Sequence, residues 1–165
     1  MPRAPDEADD LGAIFDRLGA PLYRYALMIL GDSSAAEDAV QDVFMSWARK
    51  RPSKVQSIDA YLRLSVRNAC YSQLRKPSRK LMVAADIELL EAATADARHE
   101  ERLAIESALQ RLPPEQREVV HLKVYEGLTL NEIALLTGES INTVAGRFRY
   151  ALQKLRSELG PGERS

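Results

Sequence analysis

Between Leu112 and Leu159 the chain is cut three times by residues that end or start helices. Pro113-Pro114 stops the segment carrying Ile105, Ala108, Leu109 and Leu112. Pro114 can open the next, with Val119, Val120 and Val124, which Gly127 closes; Gly138 ends a third. No apolar stretch between the breaks alternates with period two, and apolar residues recur three or four apart. The segments therefore read as short helices that can bury their apolar stripes only against one another. Thr129-Leu130-Asn131-Glu132 has the form of a capping box, and Ser140 caps a last helix reaching about Leu159.

The first half follows the same grammar. Pro21 sits where a helix can start, with Leu22, Tyr25, Ala26 and Ile29 following until Gly31. Ser34-Ala35-Ala36-Glu37 suggests a capping box for a helix with Ala36, Val40, Val43, Phe44 and Trp47 inward and Asp38, Gln41 and Asp42 outward. A basic loop, Lys50 to Lys54, precedes a helix capped by Ser57, with Ile58, Tyr61, Leu62, Ser65, Val66 and Ala69 inward, ending before Pro77. Residues 78–100 have weak periodicity and read as a flexible linker. The expectation is an all-α chain of two small helical lobes, 10–77 and 101–159.

Net charge is only −1, but it is segregated. Residues 1–46 hold nine acids against three arginines, 47–80 ten bases against one acid, and 82–106 seven acids against two bases. Faces of opposite sign suit two different partners. No apolar run is long enough for a membrane span, and the acidic start does not read as a secretory signal. The single cysteine, Cys70, precludes an internal disulfide and suits the cytoplasm; it reads as a small core residue. No phosphate loop, nucleophile elbow or His-x-x-x-His pair is present, and His99 and His121 have no ligand neighbours in sequence. The chain is expected not to be an enzyme, with no cofactor, no metal and no small-molecule substrate.

Ala134, Gly138 and Val144 have the spacing of a helix-turn-helix: a small residue at the crossing, glycine in the turn, a β-branched plug between the helices. In the last helix Ile141, Val144, Phe148, Leu152 and Leu155 form an apolar stripe. Ser140, Asn142, Thr143, Arg147, Arg149 and Tyr150 are left as candidates for base and phosphate contacts in a major groove.

The run LPPEQREVVHLKVYEGLTLNEIALLTGESINTVAGRFRYALQKLR resembles region four of bacterial extracytoplasmic-function sigma factors, which reads the −35 duplex. The upstream runs LYRYALMILGDSSAAEDAVQDVFMSWARK and DAYLRLSVRNACYSQLRK resemble region two. The resemblance spans about residues 10–158. It implies that Asp38, Gln41 and Asp42 contact core RNA polymerase. It also implies that Lys50, Arg51, Lys54, Tyr61, Arg63, Arg67, Asn68 and Tyr71 serve the melted −10 element, where bases need stacking surfaces and cationic grooves. Tyr61 stands where that family usually has tryptophan, and its position fits either base stacking or the core. Ala145-Gly146 replaces a usual Lys-Ser, removing a basic contact or opening a close backbone approach. The implied partners are core polymerase, promoter DNA and an anti-sigma factor. Two alternatives stay open at this level: a helix-turn-helix regulator acting without polymerase, and a sigma-like interaction protein that binds no promoter.

Overall fold

The computed structural model describes residues 10–52, 55–76 and 97–160, and every regular element among them is helical. The chain divides into two compact units, Met1–Met82 and Val83–Ser165. The first holds α1 (Leu11–Leu30), α2 (Ser33–Lys50) and α3 (Ile58–Leu74), each packed on the other two. The second holds α4 (Ala97–Gln110), α5 (Pro114–Val120), α6 (Leu130–Thr137) and α7 (Ile141–Leu159).

In the first unit, Ile14, Tyr25, Ala26 and Ile29 of α1 are buried with Ala36, Val40, Phe44 and Trp47 of α2 and with Leu62, Val66 and Cys70 of α3. The α2 face read from the sequence is thus the buried one, and Cys70 is in the core. Two details differ from the sequence reading. Pro21 lies inside α1, which begins ten residues earlier, at Leu11. Proline removes one backbone bond there, and buried side chains on both sides of it, Ile14 before, Leu22 and Tyr25 after, hold the two halves in place. The cap of α2 is Asp32, whose carboxylate accepts from the amides of Ser34 (3.0 Å) and Ala35 (3.4 Å), so Ser34 and Glu37 make no capping box. Gly31, at φ 68°, closes α1 by donating its amide to the Leu27 carbonyl.

In the second unit, Leu112, Val120 and Ala151 form a buried cluster against which Leu109, Phe148 and Leu155 pack. Val119, Leu122, Ile133 and Val144 are also fully enclosed. The α7 stripe is centred on Val144 and Ala151; Ile141, expected within it, is 43% exposed in the first turn. The helix opened by Pro114 does not run regularly to Gly127. From His121 to Tyr125 it widens to a π-helical turn, with the Glu126 amide donating five residues back to the His121 carbonyl at 3.0 Å. The wider turn shifts the register, and Val124, expected inside, is 66% exposed.

The segment read as a linker runs into α4, which is helical from Ala97; residues 77–96 lie outside the described residues. Residues 98–105 of α4 are exposed on all sides, which is why no apolar period marks them in the sequence. An Arg102–Glu106 pair (3.2 Å, one turn apart) supports that exposed helix.

Candidate nucleic-acid interface

The helix-turn-helix is built by local hydrogen bonds. Thr129 Oγ1 accepts from the Glu132 amide (3.1 Å), and Glu132 Oε1 accepts from the Thr129 amide (3.2 Å), closing the capping box. Gly138, at φ 71°, ends α6 in the left-handed conformation that glycine adopts without a Cβ clash. Two residues later Ser140 Oγ accepts from the Thr143 amide (3.1 Å) and donates to Thr143 Oγ1 (2.9 Å). Ser140 and Thr143 therefore fix the start of α7, and their hydroxyls are already engaged there.

Val144 is fully buried beneath that turn. Asn142 and Arg149, seven residues apart and so on one side of α7, are both exposed. Ala145 and Gly146 lie between them. A Cβ added at Gly146 would meet nothing within 4 Å, so no contact inside the protein requires glycine there. The Arg149 guanidinium lies 5.3 Å from the ring centre of Tyr150, which is itself exposed. Arg147 stands apart. It is less exposed, and its Nη2 donates to Glu139 Oε1 at 3.2 Å across the turn.

The first unit offers two faces. On α2, Asp38, Gln41 and Asp42 are exposed side by side, with Glu37 and Met45 beside them. On α3, Arg63, Arg67 and Tyr71 follow at four-residue spacing, with Tyr61 and Asn68 adjoining. The Arg67 guanidinium sits 4.6 Å above the Tyr71 ring. Tyr61 packs on Trp47 with ring centres 5.4 Å apart, yet stays 37% exposed, so it both closes the core and shows a ring face outside. Arg17 of α1 pairs with Asp59 at the start of α3 (2.9 and 3.1 Å), occupying the one acid of the basic segment. Lys50 and Arg51 are exposed where α2 ends; Arg51 has φ 29° and donates its amide to the Trp47 carbonyl. That backbone conformation is uncommon for a residue with a Cβ and fixes where the basic loop departs. Lys54 lies outside the described residues.

Three features had no reading in the sequence. Phe15, Gly19, Ala20 and Tyr23 of α1 with Glu37, Val40 and Gln41 of α2 line an open groove of about 400 Å³ beside the acidic face. Burial, and then the nearby Glu37 and Asp32 carboxylates, hold the Tyr23 phenol above its usual pKa. In the π turn, His121 is buried with its Nε2 3.2 Å from Glu126 Oε1 and its ring stacked 5.1 Å from that of Tyr125. The third is the Glu139–Arg147 pair. Among the described residues no three His, Cys, Asp or Glu side chains are grouped to hold a metal ion.

Residues 14–80 match the Sigma-70 region 2 family and residues 102–155 the Sigma-70 region 4 family. The extracytoplasmic-function (ECF) RNA polymerase sigma factor SigL of Mycobacterium tuberculosis is 31% identical, the alignment covering 94% of this chain and 92% of SigL. SigM of the same organism is also 31% identical, over 89% of this chain and 76% of SigM. The sigma factor RpoE of Bartonella quintana, solved in complex with the anti-sigma factor NepR, superposes with a TM-score of 0.73 at 25% identity, covering 91% of this chain and 96% of RpoE. CnrH, solved with the cytosolic domain of CnrY, shares the fold with a TM-score of 0.63 at 23% identity, over 90% of this chain and 86% of CnrH.

Proposed function

This chain belongs to the ECF family of RNA polymerase sigma factors, and on that premise we propose how it divides the work of promoter-specific initiation. Residues 10–77 form the lobe that docks core polymerase and handles the −10 element, and 101–159 the lobe that reads the −35 duplex. Asp38, Gln41 and Asp42 make the polymerase contact. Tyr61, Asn68 and Tyr71 offer surfaces for extruded single-stranded bases, with Lys50, Arg51, Lys54, Arg63 and Arg67 as the cationic groove around them. Asn142 and Arg149 reach base edges, Tyr150 and Arg147 flank them, and Ser140 and Thr143 hold the reading helix at its start. The protein acts as a specificity subunit without chemistry of its own, in the cytoplasm where the polymerase is. An anti-sigma partner, of the kind with which RpoE was solved, would work by covering the α2 and α7 faces.

The observation that carries this reading is the pair of faces on one three-helix core, exposed and acidic on α2, partly exposed and basic-aromatic on α3. A regulator acting alone on duplex DNA needs neither. The test separates the two faces. Asp38→Ala with Gln41→Ala is expected to lower binding of the full chain to core polymerase at least tenfold, corresponding to about 1.4 kcal/mol or more. Binding to duplex DNA without polymerase should stay within twofold. Unchanged core binding, or equal losses in both assays, would mean that the α2 face is not the polymerase contact; a circular dichroism spectrum that stays unchanged excludes unfolding as the cause of a loss of core binding alone.

A further inference from the structure

Of the two candidate arginines of α7, Arg147 is the one paired with a carboxylate in the described residues. Its side chain leaves the helix on the flank between the exposed Asn142–Arg149 side and the buried Val144–Ala151 stripe. Nη2 is bonded to Glu139 at 3.2 Å, while Nη1 is sealed from solvent with no hydrogen-bond partner in the protein. A guanidinium with a sealed, unmatched N–H group gains more from moving to a new acceptor than one already satisfied. Glu139, for its part, is a carboxylate in the turn itself, at the end of α7 that faces a DNA groove in the reading above, with a side chain 40% exposed. A carboxylate there repels a phosphate backbone and competes with it for the same arginine.

We propose that Glu139 sets the DNA affinity of this lobe by competing with a backbone phosphate for Arg147. The inference rests on the reading of α7 as a duplex-binding helix and adds a residue that opposes binding. In the free protein the carboxylate holds Arg147 against the turn. On duplex DNA a phosphate takes over Nη2, the side chain swings outward, and Nη1 finds an acceptor too. Glu139 is left as a free carboxylate facing the phosphates, which costs part of what the new contact gains. Sequence-independent attraction is thereby held down, and discrimination falls more heavily on Asn142 and Arg149. The absence of a lysine at 145 works in the same direction.

The test measures the full chain by fluorescence anisotropy on a labelled duplex of mixed sequence, over about 50 to 200 mM salt. Glu139→Gln keeps the shape and removes the charge. It is expected to tighten binding about threefold to tenfold at the low-salt end, the gain shrinking as salt rises because the competition it removes is electrostatic. Arg147→Ala should weaken binding, and adding Glu139→Gln to it should recover less than half of the gain seen with arginine present. Unchanged or weaker binding by Glu139→Gln, with helicity intact, would overturn the proposal, because the carboxylate would then be positioning Arg147 for DNA. A gain of equal size without Arg147 would also overturn it, showing simple repulsion. If the unsubstituted chain binds no duplex even at low salt, the reading of α7 itself fails, a separate and recognisable outcome.

Discussion

The helices that carry the two candidate DNA-contacting faces are similar in length, α3 with 17 residues and α7 with 19, but they are held in place by different means. Beneath α3 lies a core of large side chains: Tyr25, Phe44 and Trp47 are buried, and Tyr61 rests directly on Trp47. Under α7 the core is built of smaller side chains, Leu112, Val120 and Ala151 with Leu109, Phe148 and Leu155 packed on them, and a capped turn leads into the helix: the Thr129–Glu132 box, the Gly138 turn and the Ser140 cap. The first core is thus built around aromatic rings, the second mainly around aliphatic side chains behind a glycine turn. The Ser140 cap fixes the residue at which α7 begins, and with it the side of the helix on which Asn142 and Arg149 stand.

That contrast is open to attack in three places. Trp47→Ala should have the largest effect, costing the first unit about 3–5 kcal/mol and loosening Tyr61, while leaving the second unit untouched. Amide hydrogen exchange followed separately over the two units is the suitable readout, since a two-unit chain need not unfold in one step. Loss of protection in α6 and α7 as well would break the comparison. Gly138→Ala comes next, with an expected cost of about 1–2 kcal/mol confined to the second unit, because alanine is strained at φ 71°. Gly146→Ala is the smallest and has the opposite sign. Its Cβ enters open space within a regular helix, so exchange protection in α7 should rise by about 0.5–1 kcal/mol. Should the stabilised variant bind duplex DNA more weakly, the bare backbone at 146 serves the DNA contact; unchanged binding would make it simply a weak point of the helix.

How much of this was legible in sequence follows from the range of the interactions. The caps at Ser57, Thr129 and Ser140 are three-residue patterns, and the inward face of α2 is a repeat of three and four; both lie within what a local window carries. Pro21 misleads because its helix is held by contacts with α2 and α3, which override the local preference of proline. The π turn at His121 leaves no trace in composition, since it lengthens the backbone bonding by one residue over a single turn and changes which side the residues there, Val124 among them, face. The start of α4 is hidden because its first turns are exposed all round. Glu139 and Arg147 are eight residues apart and meet only because the chain bends between them, so helical spacing could not pair them. The candidate side chains on α3 and α7, Tyr61 excepted, were readable as groups off the apolar stripes of amphipathic helices. Which of them are already engaged by neighbours was not.

Initiation itself tests the central claim most directly. Purified core RNA polymerase and the full chain should together produce discrete transcripts from a genomic promoter library, absent with either component alone and lost with the Asp38→Ala, Gln41→Ala double variant. No transcript above that of core polymerase alone, together with no retention of the chain on immobilised core enzyme, would contradict the account.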